Sequence, residues 1–309
     1  MTLSFPPPKT WQDFEALTKD VARYRLGGDF ENYGRLGQSQ NGIDIYGWDN
    51  QNRVPAIQCK HKSNANATSK KVVTEIKPKV IDMEVSLADT FSPKLDVFII
   101  ATTTFRDKVI QNHIYTQNTN RAGSMLPKII LWNWEDFEEE INRHSELQYV
   151  YYEKTLRTFD QYNKDKHILT LLKYALDRPA FNTKFYMENH CEDFVKAIAD
   201  TQMAFSIGRL NDREGNPLSS SFPPKNLSNQ QDIQDITEAQ IILQDIRDYV
   251  TQQAKDGNIS QSNGYLEFRN NWELKISDHL NSERAKVIEL VNKALNRNNF
   301  DEIKSNLMA

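Results

Sequence analysis

The sequence predicts a three-layer α/β/α domain with a mixed sheet over residues 1–150, followed by an all-helical domain over residues 151–309. Three observations predict it. Residues 43–60 read as two short strands across a polar turn, two β-rich apolar runs then alternate with amphipathic segments, and beyond Lys154 helix follows helix. A hairpin followed by strand, helix, strand, helix is the order of a sheet covered by helices on both faces. With 309 residues, 39% hydrophobic and 26% charged, the chain has the length of two ordinary domains and the composition of a soluble globular protein.

The first element is an amphipathic helix over Thr10–Tyr24. Trp11, Phe14, Leu17, Val21 and Tyr24 recur at threes and fours, Thr10 suits an N-cap, and Gly27-Gly28 ends it. Glu15 lies off that apolar stripe. The glycine-rich run from Tyr33 to Gly42 leads into the hairpin, where Ile43, Ile45 and Gly47 alternate with Asp44, Tyr46 and Trp48. That period of two marks a half-buried strand. Asp49-Asn50-Gln51-Asn52 is a run of turn formers, and the chain returns as Val54 to Lys60. A turn centred near Gln51 sets Asp44 opposite Gln58; a slip of two residues sets it opposite Lys60. All three share one face in either register, with paired Cβ atoms about 5 Å apart. A carboxylate, an amide oxygen and an ammonium converging there suit a divalent metal and a phosphate.

Beyond the hairpin, Ser69 to Ser86 is helical in pattern but interrupted by Pro78. Leu95–Thr104 is the near-continuous β-rich run of a central strand. Phe105–Asn118 reads as a helix with Val109, Ile110, His113 and Ile114 on its apolar side. Lys128–Asn133 is a second buried strand, and Trp134–Ile141 opens a helix with acids in its first turn. In the second half, Ile168, Leu169, Leu171, Leu172, Ala175 and Leu176 form one apolar stripe, stopped by Pro179. Asn189 and Glu192 resemble a capping pair ahead of a helix that runs to Gly208. Residues 209–230 read as a long exposed loop, and Asp232–Ala254 and Ser282–Arg297 as two further helices.

Composition narrows the function. A net charge of −4 excludes a uniformly basic nucleic-acid binder, so any DNA contact is local. A local patch exists: between Arg53 and Lys79 seven basic residues (Arg53, Lys60, Lys62, Lys70, Lys71, Lys77, Lys79) face one acid, Glu75. Its place directly after the hairpin points it at phosphates. Cys59 and Cys191 alone supply no disulfide framework and suit a reducing cytoplasm. The longest apolar stretch, Val97–Ala101, falls far short of a membrane span. Gly34, Gly37 and Gly42 match neither nucleotide-binding glycine spacing. His190-Cys191 has no second pair at zinc spacing, and Cys59 has only His61 near it as a base. Tyr33, Tyr46 and Trp48 are candidates for stacking on bases, with core or rim packing the expectation for Trp48.

Asp44 followed by Gln58-Cys59-Lys60 resembles the active-site hairpin of the PD-(D/E)xK nuclease superfamily, and in particular its Mrr-like branch, where a glutamine often stands for the second acid. The lead-in Tyr33–Gly47 is similar to the version at the N-termini of bacterial antiphage effectors, and Leu176–Phe181 with the following helix looks like regions appended to such effectors. The resemblance covers roughly residues 10–140. It implies a restriction-endonuclease-like fold and a metal-dependent endonuclease acting on DNA, double-stranded by analogy, in defence against phage or plasmids. Glu15 matches the first-helix glutamate that reaches the metal in such enzymes. Mg²⁺, or Mn²⁺, would then be held by Asp44, the Gln58 amide oxygen, Glu15 and the Cys59 backbone carbonyl, with Lys60 as the catalytic cation. Arg35, Gln38, Lys62, Lys70, Lys71, Lys77 and Lys79 would contact DNA. The helical domain would serve regulation or oligomerisation, as a homo-oligomer or with a sensor or ATPase subunit. The alternative is a catalytically silent DNA- or protein-binding module on the same fold, for which the neutral Gln58 speaks.

Overall fold

The computed structural model describes residues 3–33, 42–62, 76–185, 188–190, 194–211, 215–262 and 265–307. The chain divides into two compact units, Met1–Gln148 and Tyr149–Ala309.

The first unit opens with α1 (Trp11–Leu26). The Thr10 hydroxyl accepts from the Asp13 amide and Gly27 ends the helix. Phe14, Leu17 and Val21 are buried as the spacing predicts, whereas Trp11 and Tyr24 lie at the exposed rim. A strand the sequence reading did not anticipate, β1 (Asp29–Asn32), pairs antiparallel with β2 (Ile45–Trp48), which pairs antiparallel with β3 (Pro55–Lys60). Then come α2 (Pro78–Asp89), β4 (Val97–Thr102), α3 (Lys108–Asn120), β5 (Lys128–Trp132) and α4 (Trp134–Arg143). β3, β4 and β5 run parallel, so the five strands form a mixed sheet in the order β1-β2-β3-β4-β5. Gly47 is required by that sheet: a Cβ there would lie 2.0 Å from the Asp29 carbonyl oxygen.

Helices cover both faces. Ala56, Phe98, Ile100 and Ile129 pack with Ile81, Val85, Ile110 and Ile114, which places α2 and α3 on one side. On the other side α1 and α4 meet through Phe14 and Phe137, whose ring centroids are 5.1 Å apart. Because strand side chains alternate, Gln58 and Lys60 share the α2 face with Ala56, and Cys59 faces α1. Pro78 starts α2 at its first position, where its missing N–H costs nothing, and residues 69–75 of the helical pattern expected there lie outside the described residues. One local expectation needs correction. Val109 is 65% exposed, and His113 leaves the apolar face to bond Asp82.

The second unit is not all-helical. Alongside α5 (Ser145–Tyr151, which crosses the boundary), α6 (Glu153–Thr158), α7 (Lys164–Leu176), α8 (Pro179–Asn182) and α9 (Phe194–Ile207) it contains β6 (Glu188–His190), β7 (Arg209–Asn211) and β8 (Pro217–Ser220). The region read as an exposed loop is thus partly a two-stranded ladder, with Leu210 and Leu227 buried. Turn formers punctuate short strands as well as loops, and that ambiguity misled the reading. Asn189 lies in β6 and not in a cap; Glu192 is outside the described residues. The unit continues through α10 (Gln230–Lys255), β9 (Ile259–Ser262), β10 (Tyr265–Phe268), α11 (Asn271–Leu274) and α12 (Ile276–Arg297), with β10 pairing both β6 and β9. Ile236, Ala239, Leu243, Ile246 and Val250 of α10 and Leu280, Val287, Val291 and Ala294 of α12 form the centre of its core. Arg297 joins the two helices by bonding Asp232 and Asp235. Among the described residues, no helix is long and apolar enough to cross a membrane.

His167 on α7 is fully buried between the Tyr149 ring and the Tyr162 and Ser219 hydroxyls. Burial lowers its pKa from 6.5 to about 4. The unfolded chain therefore takes up a proton that the folded chain refuses, so stability is full above pH 6.5 and is lost as pH falls towards 4. Protection of the α7 amides, corrected for intrinsic exchange, is expected to fall across that window by on the order of 2 kcal/mol. In His167→Gln the pH dependence of α7 should flatten.

Candidate active site

The hairpin takes the register centred on Gln51: Ile45 pairs with Ile57 and Tyr46 with Ala56, which continues to Asp44 opposite Gln58. The turn is tied by Asp49, which accepts from the amides of Gln51 and Arg53 at 2.9 Å each. Asp44 is held on both sides of its backbone, donating its amide to the Ile57 carbonyl (2.9 Å) and accepting from the Tyr33 amide (2.7 Å). Its carboxylate is thereby aimed at β3. Oδ2 accepts from the Gln58 side-chain Nε2 and from the Cys59 backbone amide, both at 2.6 Å.

Gln58 is buried, and its amide nitrogen also lies 3.4 Å from the Cys59 carbonyl oxygen. The other end of that amide is the informative one. Gln58 Oε1 is buried with no hydrogen-bond partner. Such an atom costs about 1–3 kcal/mol, and native structures carry few of them. With the nitrogen turned to Asp44, the amide donates to its carboxylate; turned round, it would set two oxygens side by side, which only a positive charge between them would make favourable.

Glu15 on α1 is half-buried, and its pKa is pushed from 4.5 up to about 7, chiefly by burial and then by repulsion from Asp44, against a lowering by Lys19. Burial is also the main cause of the raised Asp44 pKa, with Glu84 adding to it and the Cys59 amide, Lys60 and Gln58 opposing it. The Cys59 thiol faces α1 beside Thr18 and is pushed well up by burial and by the charges of Asp44 and Glu15, which leaves it an inert packing group. Lys60 forms an ion pair with Glu84 of α2, Nζ to Oε1 2.6 Å.

The structure thus brings together Glu15, Asp44, Gln58, Cys59 and Lys60 and adds Glu84, which sequence reasoning missed. A signal for it exists. Ile81, Val85 and Ala88 mark the buried stripe of α2, and Glu84 falls three residues after the first and four before the last, a carboxylate on a core-facing line. Lys62 follows β3 with its backbone clasped by Thr103, whose hydroxyl accepts from the Lys62 amide (2.8 Å) and donates to its carbonyl (3.1 Å). Lys77 and Lys79 are exposed at the start of α2. Arg35, Gln38, Lys70 and Lys71 lie outside the described residues. Tyr33 and Tyr46 pack edge-on against each other, and Tyr33 against Phe91, whereas Trp48, expected to pack, is 60% exposed.

As a donor set for an ion, the site offers the oxygens of two carboxylates, an orphaned amide oxygen and a backbone carbonyl, all hard ligands of the kind Mg²⁺ and Mn²⁺ take. No group of three histidine, cysteine, aspartate or glutamate side chains close enough to hold a metal occurs among the described residues. A site of this composition leans on its amide and carbonyl. Comparison of the chain with protein-family models, curated proteins and solved structures returned no match.

The raised Glu15 pKa has a direct consequence for the metal-free fold. Stability is full below pH 4.5 and is lost as pH rises through 7, where the buried carboxyl must ionise. In EDTA, Glu15→Gln is expected to raise the denaturation free energy at pH 8 by on the order of 1 kcal/mol and to leave it nearly unchanged at acidic pH. Guanidinium melts at both pH values measure the difference.

Proposed function

We propose that the first unit is a metal-dependent endodeoxyribonuclease of the PD-(D/E)xK type, restriction-endonuclease-like in fold and acting on DNA, double-stranded by analogy. One observation carries the reading. A partly buried carboxylate, an amide oxygen without a hydrogen-bond partner and a half-buried ammonium converge at one end of one hairpin. The five-stranded mixed sheet with helices on both faces supports it, as does the alternation that turns Gln58 and Lys60 to one side.

In this reading Asp44, the Gln58 amide oxygen, Glu15 and the Cys59 carbonyl hold Mg²⁺ or Mn²⁺. The bound ion supplies a water of lowered pKa and offsets charge on the scissile phosphate. Asp44 remains the anchor, because its backbone is pinned at both ends and its carboxylate needs no movement to serve. Lys60 binds the non-bridging phosphate oxygens and orients the attacking water, stabilising the charge that develops there. Lys62, held by Thr103, and the exposed Lys77 and Lys79 grip neighbouring phosphates. The biological role would be that of an effector in bacterial defence against phage or plasmids. Activity would be restrained by assembly of the second unit, as a homo-oligomer or with a sensor or ATPase subunit.

A second reading, a catalytically silent DNA- or protein-binding module, is favoured by the lack of a three-residue metal cluster among the described residues. Plasmid nicking by the purified chain in Mg²⁺ or Mn²⁺ separates the two; failure to cut at any concentration sinks the nuclease. Asp44→Ala and Lys60→Ala are each expected to abolish nicking with the fold intact, since each removes one role from a single assembly. Gln58→Glu adds an anion beside Asp44 and should tighten Mn²⁺ binding, whereas Gln58→Ala should weaken it. Calorimetric titration of Mn²⁺ reads both, and unchanged affinities would remove Gln58 from the ligand set.

A further inference from the structure

Glu84 has no role in that scheme, yet its placement is costly. It sits on the buried stripe of α2 between Ile81 and Val85, and its side chain is only 13% exposed. Lys60, its partner, is 22% exposed. Bringing two charges this far out of water is favourable only while they remain paired, because each alone would be an uncompensated charge in a poor dielectric. Gly42, with a φ of 73°, lies against the carboxylate, a Cβ there coming 2.9 Å from Glu84 Oε2. Asp44 also feels the charges of both Lys60 and Glu84, so the pair lies within electrostatic reach of that carboxylate.

We propose that Glu84 is a positioning residue for Lys60: its carboxylate holds the ammonium, in the metal-free chain, at the place a DNA phosphate takes, and DNA engages Lys60 only by displacing it. The proposal rests on the reading above that Lys60 meets a phosphate. A carboxylate and a phosphodiester offer an ammonium the same kind of anionic oxygen, so one stands in for the other. While Glu84 occupies Lys60, the site presents uncompensated carboxylates to an approaching backbone and repels it. Lys60 stays aimed throughout, because its backbone carbonyl accepts from the Thr102 hydroxyl at 3.1 Å. Only its head changes partner.

The test measures binding in EDTA of a short fluorescent DNA duplex to the full-length chain, across a salt series. In Glu84→Gln, Lys60 gains one phosphate contact. Affinity should rise roughly fivefold to tenfold at about 0.1 M salt, and the log–log salt slope should steepen by about 0.9, one counterion's worth. Both gains should vanish in the Glu84→Gln/Lys60→Met double variant, which a merely structural tie between α2 and β3 would not require. Glu84→Asp keeps the charge but slackens the pair, so its gain should be smaller than that of glutamine. If the glutamine variant does not fold, the aspartate variant with and without Lys60→Met decides the matter. Unchanged affinity and slope in Glu84→Gln, with wild type binding DNA and nicking plasmid, would overturn the role of Glu84 alone. The same holds for a gain that persists without Lys60. A wild-type chain that neither binds nor cuts DNA would overturn the nuclease reading and this proposal with it.

Discussion

The bond from the Cys59 backbone amide to the Asp44 carboxylate is the constraint on which the first unit's site depends. A partly buried carboxylate needs donors, and here a strand backbone provides one in a fixed direction while the Gln58 amide provides the other. Once Oδ2 is so placed, the hairpin register cannot slip by two without stranding a charge. The Gln58 nitrogen must face Asp44, and its oxygen must face away into a spot where nothing receives it. Lys60, one further residue along the same face, then reaches the far side of the cluster, where α2 meets it with Glu84. Each feature follows from the one before.

The electrostatics of the cluster run against stability. Asp44 and Glu84 share a half-buried space with Lys60, Glu15 beside Asp44 titrates near neutrality, and an amide oxygen goes unsatisfied. Folding alone would replace these groups with apolar ones of similar size at little loss or some gain. Unfavourable electrostatics of this kind collect at functional sites. In the second unit the buried arginines are matched, although that unit too holds buried polar atoms without a hydrogen-bond partner, Thr170 Oγ1 among them. Its buried Arg284 donates to the carbonyls of Ala180 and Thr183 and lies over the Phe185 ring, and Arg297 is matched by two aspartates.

Much of the first unit was legible because its signals are periodic. Alternation over residues 43–48 and the turn formers at 49–52 narrow the hairpin to two registers, one of them the register observed, and Thr10 caps α1 as its chemistry predicts. Asp44, Gln58 and Lys60 could be grouped from parity alone. What parity could not supply was anything from another element. Glu84 meets Lys60 only after α2 folds back over β3, and β1 exists because β2 has an edge to offer, not because Asp29–Asn32 is strongly β-forming. The strands of the second unit were missed for a similar reason. β6, β9 and β10 are three or four residues long, too short to carry a period of their own, and β6 meets β10 only across a wide gap in sequence.

The threonine clasp at the ends of β3 and β4 reaches further than local geometry. Thr102 bonds the Lys60 carbonyl, and Thr103 takes both the amide and the carbonyl of Lys62. Side-chain hydroxyls thus extend the ladder past the point where strand pairing stops. The lysine end of β3 is consequently anchored laterally, by residues 41 and 42 positions further along the chain. Where Lys60 and Lys62 stand is therefore written partly in the end of β4 and not in β3 alone.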